Sequence, residues 1–301
     1  MHVGKWAIVG AVGFLGQSSA YAQEFGARSL GGGETGRANS SDPGSLMRNV
    51  AAVSLDPRYD VLAGAGFGPD KTFHLHSMAL DSRTSQVTMG LRWYRTTDTL
   101  ALQGDDLPGW KDPADALLDP AEHQGIGLVF AYPLLGRRLS FGISGGYDWK
   151  IGERSGKSGG FNFGAGAAGK PLPSLTLAAG FHNMLLNDFD GTPRELDAGI
   201  RWSPGDFLGI EVDGIVPVEK SLLWKEARLG AGVEVGIVKL VGLRGGYLLD
   251  GGEHNVTAGV SFLSEYAAID YGIQFALGDE LHLWHAVDLR VFFGSVVDRS
   301  E

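Results

Sequence analysis

The chain of 301 residues lacks several features, and each absence excludes a class of protein. It contains no cysteine, so no disulfide can stabilise the fold. No apolar run reaches the roughly 20 residues that a membrane-spanning helix needs. There is no block of basic residues and the net charge is −10, which argues against nucleic acid as a partner. No serine nucleophile with a local general base is recognised, so we predict neither an enzyme nor a bound cofactor.

The first residues have the features of a secretory leader. One lysine, Lys5, precedes an apolar run from Trp6 to Leu15, and the small-x-small triplet Ala20-Tyr21-Ala22 follows. We expect a signal peptide over residues 1–22 that is removed after Ala22.

Most of the remaining chain is a succession of short segments in which apolar residues alternate with small or polar ones. In the segment 267–277, Ile269 and Tyr271 fall on one face and Asp270 on the other. A period of two residues predicts β-strands. About 14 such segments begin near residues 59, 72, 85, 124, 138, 160, 174, 194, 206, 226, 239, 254, 267 and 281. We therefore predict an all-β fold, a transmembrane up-and-down antiparallel β-barrel of about 14 strands.

The connections between these segments alternate between short and long, as they do in outer-membrane barrels. The short ones include DSRT, LLGRR and SPGD, whereas the long or bulky ones include Gly152–Ser158, LLNDFDGTP and the longest, Thr96–His123. Aromatic residues such as Tyr132 and Trp202 stand near strand ends, where a membrane interface would lie. A secreted soluble β-protein, with its apolar strand faces turned inward, is the alternative.

Glycine is abundant, with 47 residues, and many of the strand glycines fall on the polar, inward face. They are Gly64, Gly66, Gly142, Gly146, Gly164, Gly166, Gly230 and Gly232. Such small residues leave room in the lumen, and the apolar segment Ser41–Leu55, which has no strand pattern, is the candidate to fill it. We predict four regions: signal peptide 1–22, N-terminal hatch 23–58, transmembrane barrel 59–293 and C-terminal tail 294–301.

The stretch from Phe25 to Leu55 resembles the N-terminal segment of the FadL-like and PorV-like outer-membrane proteins. Their Gly-x-Arg-x-Leu-Gly segment, Asp-Pro-x-x-Leu motif and Asn-Pro-Ala motif correspond to Gly26–Gly31, Asp42–Leu46 and Asn49–Ala52. Val50 stands where the family has proline, which restores a backbone N–H and frees φ. The resemblance assigns Arg28, Leu30, Asp42, Leu46 and Asn49 to the hatch, and we expect Asn49 at the turn that leads into the first strand.

The resemblance implies a barrel of 14 strands with the hatch folded inside it, in the outer membrane of a bacterium, with both barrel termini periplasmic. One branch of the family moves long-chain fatty acids or other hydrophobic small molecules, and this is the function we favour. The other branch holds secreted proteins at the cell surface, which leaves a PorV-like scaffold as the alternative. The expected partners are outer-membrane lipid, a hydrophobic ligand and, for the scaffold, a secreted protein.

Charged residues on the polar faces of the later strands are expected to line the lumen. They are Asp197, Arg201, Glu211, Asp213, Arg228, Glu234, Arg244, Asp270 and Arg290. Opposite charges on neighbouring strands can pair, so we interpret these residues mainly as structural contacts between wall and hatch, with a substrate or ion path as the alternative. Arg28 and Arg37 of the hatch are the expected partners of the acidic members.

Two connections carry exposed apolar residues that suit a ligand-capture surface, or alternatively a cover over the mouth of the barrel. The capture candidates are Trp110, Leu117, Leu118, Leu222 and Trp224. His74 and His76 share an inward face at a spacing of two residues, but a third ligand is lacking, so we predict polar lining and no metal.

Overall fold

A computed structural model describes residues 26–68, 72–83, 86–97, 121–152, 156–184, 194–205, 207–218, 226–238, 240–278 and 283–293. The predicted leader 1–22 and tail 294–301 lie outside the described residues, and their boundaries stay predictions.

Fourteen strands among the described residues form a closed antiparallel barrel. Each pairs with its neighbours in sequence, and the first pairs with the last. The strands are β1 (Tyr59–Phe67), β2 (Phe73–Asp81), β3 (Thr88–Thr97), β4 (Ala121–Leu134), β5 (Leu139–Gly152), β6 (Gly156–Leu172), β7 (Leu175–His182), β8 (Arg194–Trp202), β9 (Leu208–Val218), β10 (Arg228–Val238), β11 (Val241–Asp250), β12 (Glu253–Leu263), β13 (Ala267–Ala276) and β14 (Leu283–Phe292). This confirms the predicted fold class, and every strand begins within four residues of its predicted start.

One predicted loop is wrong. The connection placed at Gly152–Ser158 is largely strand, because β5 and β6 pair without interruption from Leu139 to Gly152. These two strands and β4 have 14, 17 and 14 residues, longer than predicted. Glycine and serine have weak β propensity, so the alternating pattern fades before the ladder ends. Cross-strand contacts such as the edge-to-face pair of Tyr147 and Phe161, with 5.1 Å between ring centroids, support the extension.

The outer surface of the barrel is apolar and the inner surface is polar. On β10 the outward residues Leu229, Val233, Val235 and Ile237 are 38 to 58% exposed. Aromatic side chains near strand ends also face outward, as Tyr132, Tyr147, Trp202 and Tyr247 show. This inverted arrangement is typical of a transmembrane barrel and argues against the soluble alternative, in which the apolar face would be inside.

The N-terminal segment lies inside the lumen. Residues 26–55 are buried except Arg28 and Ser41, which are half-buried. They contain two single-turn helices, α1 (Ala27–Leu30) and α2 (Ser45–Arg48), and a 3₁₀ turn, Ala52–Ser54. Segments this short are unstable alone, so contacts with the wall must hold them. No helix in the described part of the chain is long and apolar enough to cross a membrane.

Glycines of the wall let the backbone of the hatch approach the strands closely. A Cβ atom added at Gly246 would lie 2.5 Å from both the carbonyl carbon of Gly32 and the amide nitrogen of Gly33. A Cβ at Gly232 would overlap the carbonyl oxygen of Gly32, and one at Gly272 would overlap that of Ala27. The inward glycines therefore form the seat on which residues 27–33 rest.

We expect Gly246→Ala to displace the hatch, because its new methyl group meets rigid backbone and costs about 1–3 kcal/mol. Trypsin cleavage at Arg28 and Arg37 in the detergent-solubilised barrel should become faster. The control is Gly145→Ala on β5, since a Cβ there meets nothing within 4 Å. Equal cleavage rates in the two variants would contradict the proposed seat.

Candidate functional site

The hatch contacts the wall through two unlike halves. Residues 26–42 lie mainly against β8–β14 and make the ion pairs between hatch and wall, and we call this contact the charged half. Residues 43–55 meet β1–β7, mostly through aliphatic side chains, and we call this contact the apolar half. The two halves differ in the free energy that is lost when the hatch separates from the wall.

Arg28 joins the hatch to a row of charges near the short connections of the barrel. Its Nη2 lies 2.5 Å from Oε1 of Glu234 on β10. Glu234 also lies 3.3 Å from Nη2 of Arg201 and 4.0 Å from Nε of Arg244, and Arg201 hydrogen-bonds Glu211. Glu234 therefore retains wall cations when Arg28 is withdrawn.

The row continues through a buried carboxylate on β13. Asp270 accepts hydrogen bonds from Arg290 Nε at 2.6 Å and from Arg244 Nη2 at 2.7 Å. Ser261 hydrogen-bonds the same carboxylate. This cluster consists of wall residues alone, so its pairing does not depend on whether the hatch is seated.

Arg37 has a different relation to the wall. The backbone N–H groups of Gly36 and Arg37 donate to Oδ2 of Asp213 at 2.7 and 2.8 Å. The Arg37 guanidinium lies 3.6 Å from Asp213 and 4.0 Å from Asp197, and His182 lies 2.5 Å from Asp197. Here the hatch supplies the arginine for two buried wall carboxylates, so we call this contact the Arg37 anchor.

Two residues of the charged half were missed in the sequence analysis, Glu195 of β8 and Glu34 of the hatch. Arg228 lies 3.0 Å from Glu195 of β8 and 3.5 Å from Glu34 of the hatch. Glu195 lies on the same inward face of β8 as Asp197, so the alternation with period two could have predicted its position. Glu34 has φ of +56° in an irregular turn, and no periodicity could have placed it.

A narrow cleft, part of it open, lies between the hatch and β8–β11. Its lining includes Arg28, Asp42, Arg201, Glu211, Glu234 and Arg244. The three guanidiniums and three carboxylates balance, so the cleft has no excess charge with which to select an ion of one sign.

Asp42 begins the turn before α2 and accepts a hydrogen bond of 3.0 Å from the N–H of Gly44. Burial opposes ionisation of this carboxyl, but Arg28, Arg290 and Arg48 outweigh it and lower its pKa. Arg48 is itself buried, with its guanidinium beside Gly36 of the hatch. Asp42 therefore stays ionised and helps to balance the arginines at the centre of the lumen.

Leu46 and Leu30 occupy different halves of the contact. Leu46 belongs to a buried apolar cluster with Met47, Val50 and Val53 of the hatch and Leu62, Met78, Leu80, Tyr94 and Val129 of the wall. Leu30 packs with Ala27, Ala286 and Trp284 beside β14. Val50, the substitute for the family proline, is 1% exposed and contributes its side chain to the first cluster.

Asn49 stands at the last turn of the hatch before the first strand. It follows α2, and its Oδ1 accepts hydrogen bonds from Ala51 at 3.0 Å and Ala52 at 3.3 Å. The 3₁₀ turn then separates it from β1, which begins ten residues later at Tyr59. The asparagine thus initiates that turn, because its side chain satisfies N–H groups that precede the first 3₁₀ bonds.

The exit of the hatch is tied to the short connections. Asp56 lies 2.6 Å from Nζ of Lys170, and Arg137 donates to the carbonyls of Ser54 and Ser82 at 2.6 and 2.7 Å. Burial opposes ionisation of Asp56, but Lys170 and Ser40 outweigh it and lower its pKa. The end of the hatch is therefore fixed to the rim of the barrel at neutral pH.

The inward histidines bind protein groups. His74 Nδ1 lies 2.9 Å from Thr96 Oγ1, and His76 Nε2 lies 3.1 Å from Oδ1 of Asp288, whose Oδ2 accepts the N–H of Ala27 at 2.7 Å. Among the described residues no group of three or more histidine or acidic side chains is arranged to hold a metal.

Two pentapeptides match the pattern Gly-x-Ser-x-Gly, at residues 142–146 and 156–160. Both lie within strands, β5 and β6, rather than on the strand-to-helix turn that exposes a serine nucleophile. The match therefore does not indicate a hydrolase.

The ligand-capture candidates Trp110, Leu117, Leu118, Leu222 and Trp224 lie outside the described residues, so their role stays a prediction.

Arg37→Met should loosen the hatch far more than Arg28→Met. Loss of the Arg37 anchor leaves buried carboxylates without their arginine, at about 3–5 kcal/mol. Loss of Arg28 leaves Glu234 beside Arg201 and Arg244, so about 1 kcal/mol is expected. Urea titration of trypsin cleavage within the hatch measures both. Equal destabilisation would contradict the distinction between the two contacts.

No protein-family model matches the chain, and no curated protein matches it. Solved structures do match. A FadL homologue from Pseudomonas aeruginosa has 11% identity and a TM-score of 0.64, with 89% of this chain and 97% of that chain covered. A mutant of TodX, described as a monoaromatic hydrocarbon channel, has 12% identity and a TM-score of 0.60, with 90% and 98% covered. At these identities the likeness shows the fold alone: the described strands form a closed β-barrel similar to those of the FadL homologue and the TodX mutant.

Proposed function

We propose that the protein is an outer-membrane channel for hydrophobic small molecules, of the long-chain fatty-acid kind, and that the hatch gates it. The observation that carries this proposal is the lumen itself, which is filled by a short segment without stable structure of its own. The names of the two similar structures, a hydrocarbon channel and a FadL homologue, support the same class of cargo. They also support a role in transport rather than catalysis.

The strand ladders favour a route past the hatch over a route through the wall. The register is continuous in twelve of the fourteen neighbouring strand pairs, including β2–β3 and β3–β4, over the residues that pair. Irregularities occur between Gly236 and Val238 on β10 and between Gly169 and Leu172 on β6, both beside short connections. Opening the wall would break backbone hydrogen bonds in lipid, where no water replaces them. Movement of the hatch breaks few such bonds.

Uptake of a radiolabelled long-chain fatty acid and of toluene by cells without their own hydrophobic-molecule channel should rise when the protein is expressed. Proteoliposomes with the intact protein should admit little sugar in a swelling assay, because the hatch fills the lumen. Deletion of residues 26–55 should produce rapid sugar entry through the unplugged barrel.

The outcomes separate the candidate functions. Expression without any gain in hydrophobic uptake would overturn the transport proposal, provided that the barrel migrates as a folded, heat-modifiable band. A secreted protein that co-purifies in stoichiometric amount, without such a gain, would instead favour the PorV-like scaffold. Slow sugar entry after the deletion would overturn the role of the hatch as the closure.

A further inference from the structure

Leu46 of the hatch fills a socket in the wall at Gly90. A Cβ added at Gly90 would lie 2.5 and 3.2 Å from the two Cδ atoms of Leu46 and 3.4 Å from Cβ of Val129. Leu80 and Val129 are the cross-strand neighbours of Gly90 on β2 and β4. All three side chains that meet here are at most 1% exposed. The missing side chain at position 90 thus leaves apolar space in the wall, which the Leu46 side chain fills.

The surroundings of this socket can accommodate a change of occupant. Met47 and Met78 belong to the same cluster, and methionine adapts to irregular shapes because its side chain is unbranched and flexible. A hydrogen bond of 3.3 Å from Arg92 Nη1 to the carbonyl of Leu46 is at the edge of the contact. Withdrawal of Leu46 therefore removes mainly aliphatic contact.

The charged half responds differently to withdrawal. At the Arg37 anchor, separation would leave Asp197 and Asp213 buried without their arginine, and an apolar molecule could not replace it. At the Leu46 socket, a hydrocarbon group restores the buried apolar surface that the leucine gives up. The two halves thus differ in whether a hydrophobic cargo can compensate for the movement of the hatch.

We propose that the Leu46 socket is a binding site for an aliphatic or small aromatic group of the transported molecule, which Leu46 occupies in the closed state. The cargo displaces Leu46, and the segment around α2 moves while the Arg37 anchor holds residues 36–37 on the wall. This inference rests on the proposed channel function and adds to it the site and the part of the hatch that moves.

Xenon-pressurised crystals test the site itself, since xenon enters dry apolar cavities. Leu46→Ala should show a xenon peak beside Gly90, because the truncation empties the socket. Wild type and Leu30→Ala, a matched truncation in the charged half, should show no peak there. Absence of the peak in Leu46→Ala would overturn the site, whatever the transport assays show.

A reversible cross-link tests the movement, and the cysteine-free chain makes it specific. The lock is Leu46→Cys with Gly90→Cys, because a Cβ at Gly90 would lie 2.5 Å from one Cδ atom of Leu46, so the two new thiols share the socket. The matched lock is Ser54→Cys with Ser140→Cys, whose native hydroxyls hydrogen-bond each other at the exit of the hatch. The readout is fatty-acid uptake with and without reductant.

The oxidised Leu46/Gly90 lock should abolish uptake, which reductant restores, whereas the Ser54/Ser140 lock should leave it unchanged. Equal loss in both locks would overturn movement around α2, and uptake through the oxidised Leu46/Gly90 lock would overturn the socket as part of the path. A xenon peak in Leu46→Ala without any uptake by wild type would overturn the channel function but support the apolar site. Uptake by wild type without a xenon peak in Leu46→Ala would support the channel function but overturn the apolar site.

Discussion

The close approach of the hatch backbone to glycines of the wall is the constraint on which the rest of the structure depends. Gly230, Gly232 and Gly246 leave no space for a side chain where residues 32 and 33 rest. With larger residues there, the segment could not lie flat against the strands, and the arginines at positions 28 and 37 would not reach their carboxylates. A wall without side chains at these positions is thus a condition for the charge pairs and for a filled lumen.

Both halves of the contact hold the hatch in the lumen, but they differ in how they affect stability when they are broken. Burying ion pairs contributes little net stability, because desolvation offsets much of the attraction, but breaking one is costly. The Arg37 anchor therefore fixes the position of the hatch more than it stabilises the barrel. The apolar half contributes stability through buried aliphatic surface, and it loses that contribution gradually and reversibly when another apolar group takes its place. A hatch that must stay in position and also be displaced by a hydrophobic cargo needs one contact of each kind.

The sequence was sufficient for the architecture because a barrel repeats one local rule. Alternation with period two identified the strands, and it also assigned Asp197, Asp213 and Glu234 to the inner face, where they lie. It was misleading at β5 and β6, where glycine and serine hide the alternation although the ladder continues.

The contacts of the hatch could not be predicted in the same way. Residues 26–58 contain single turns and positive φ values at Gly33, Glu34 and Gly36, so no period relates one side chain to the next. Arg48, Glu34 and Asn49 therefore had no pattern from which to infer their partners. The pairing of Arg28 with Glu234 also depends on strand register and on where the hatch crosses the lumen, which are tertiary properties. The family resemblance located the segment without giving its contacts.

The position of the tethers determines which part of the hatch is free to move. Asp56 with Lys170, and Arg137 with the carbonyl of Ser54, hold the exit, while the Arg37 anchor holds the segment before Asp42. Between them lie Ala38 to Val53, which include α2, so a displacement that leaves both tethers intact must occur there. This stretch also contains Leu46, Val50 and Val53, whose contacts with the wall are aliphatic. The part of the hatch that geometry leaves movable therefore includes the aliphatic side chains that a hydrocarbon can replace, and both tethers lie on charges that such a cargo cannot compensate.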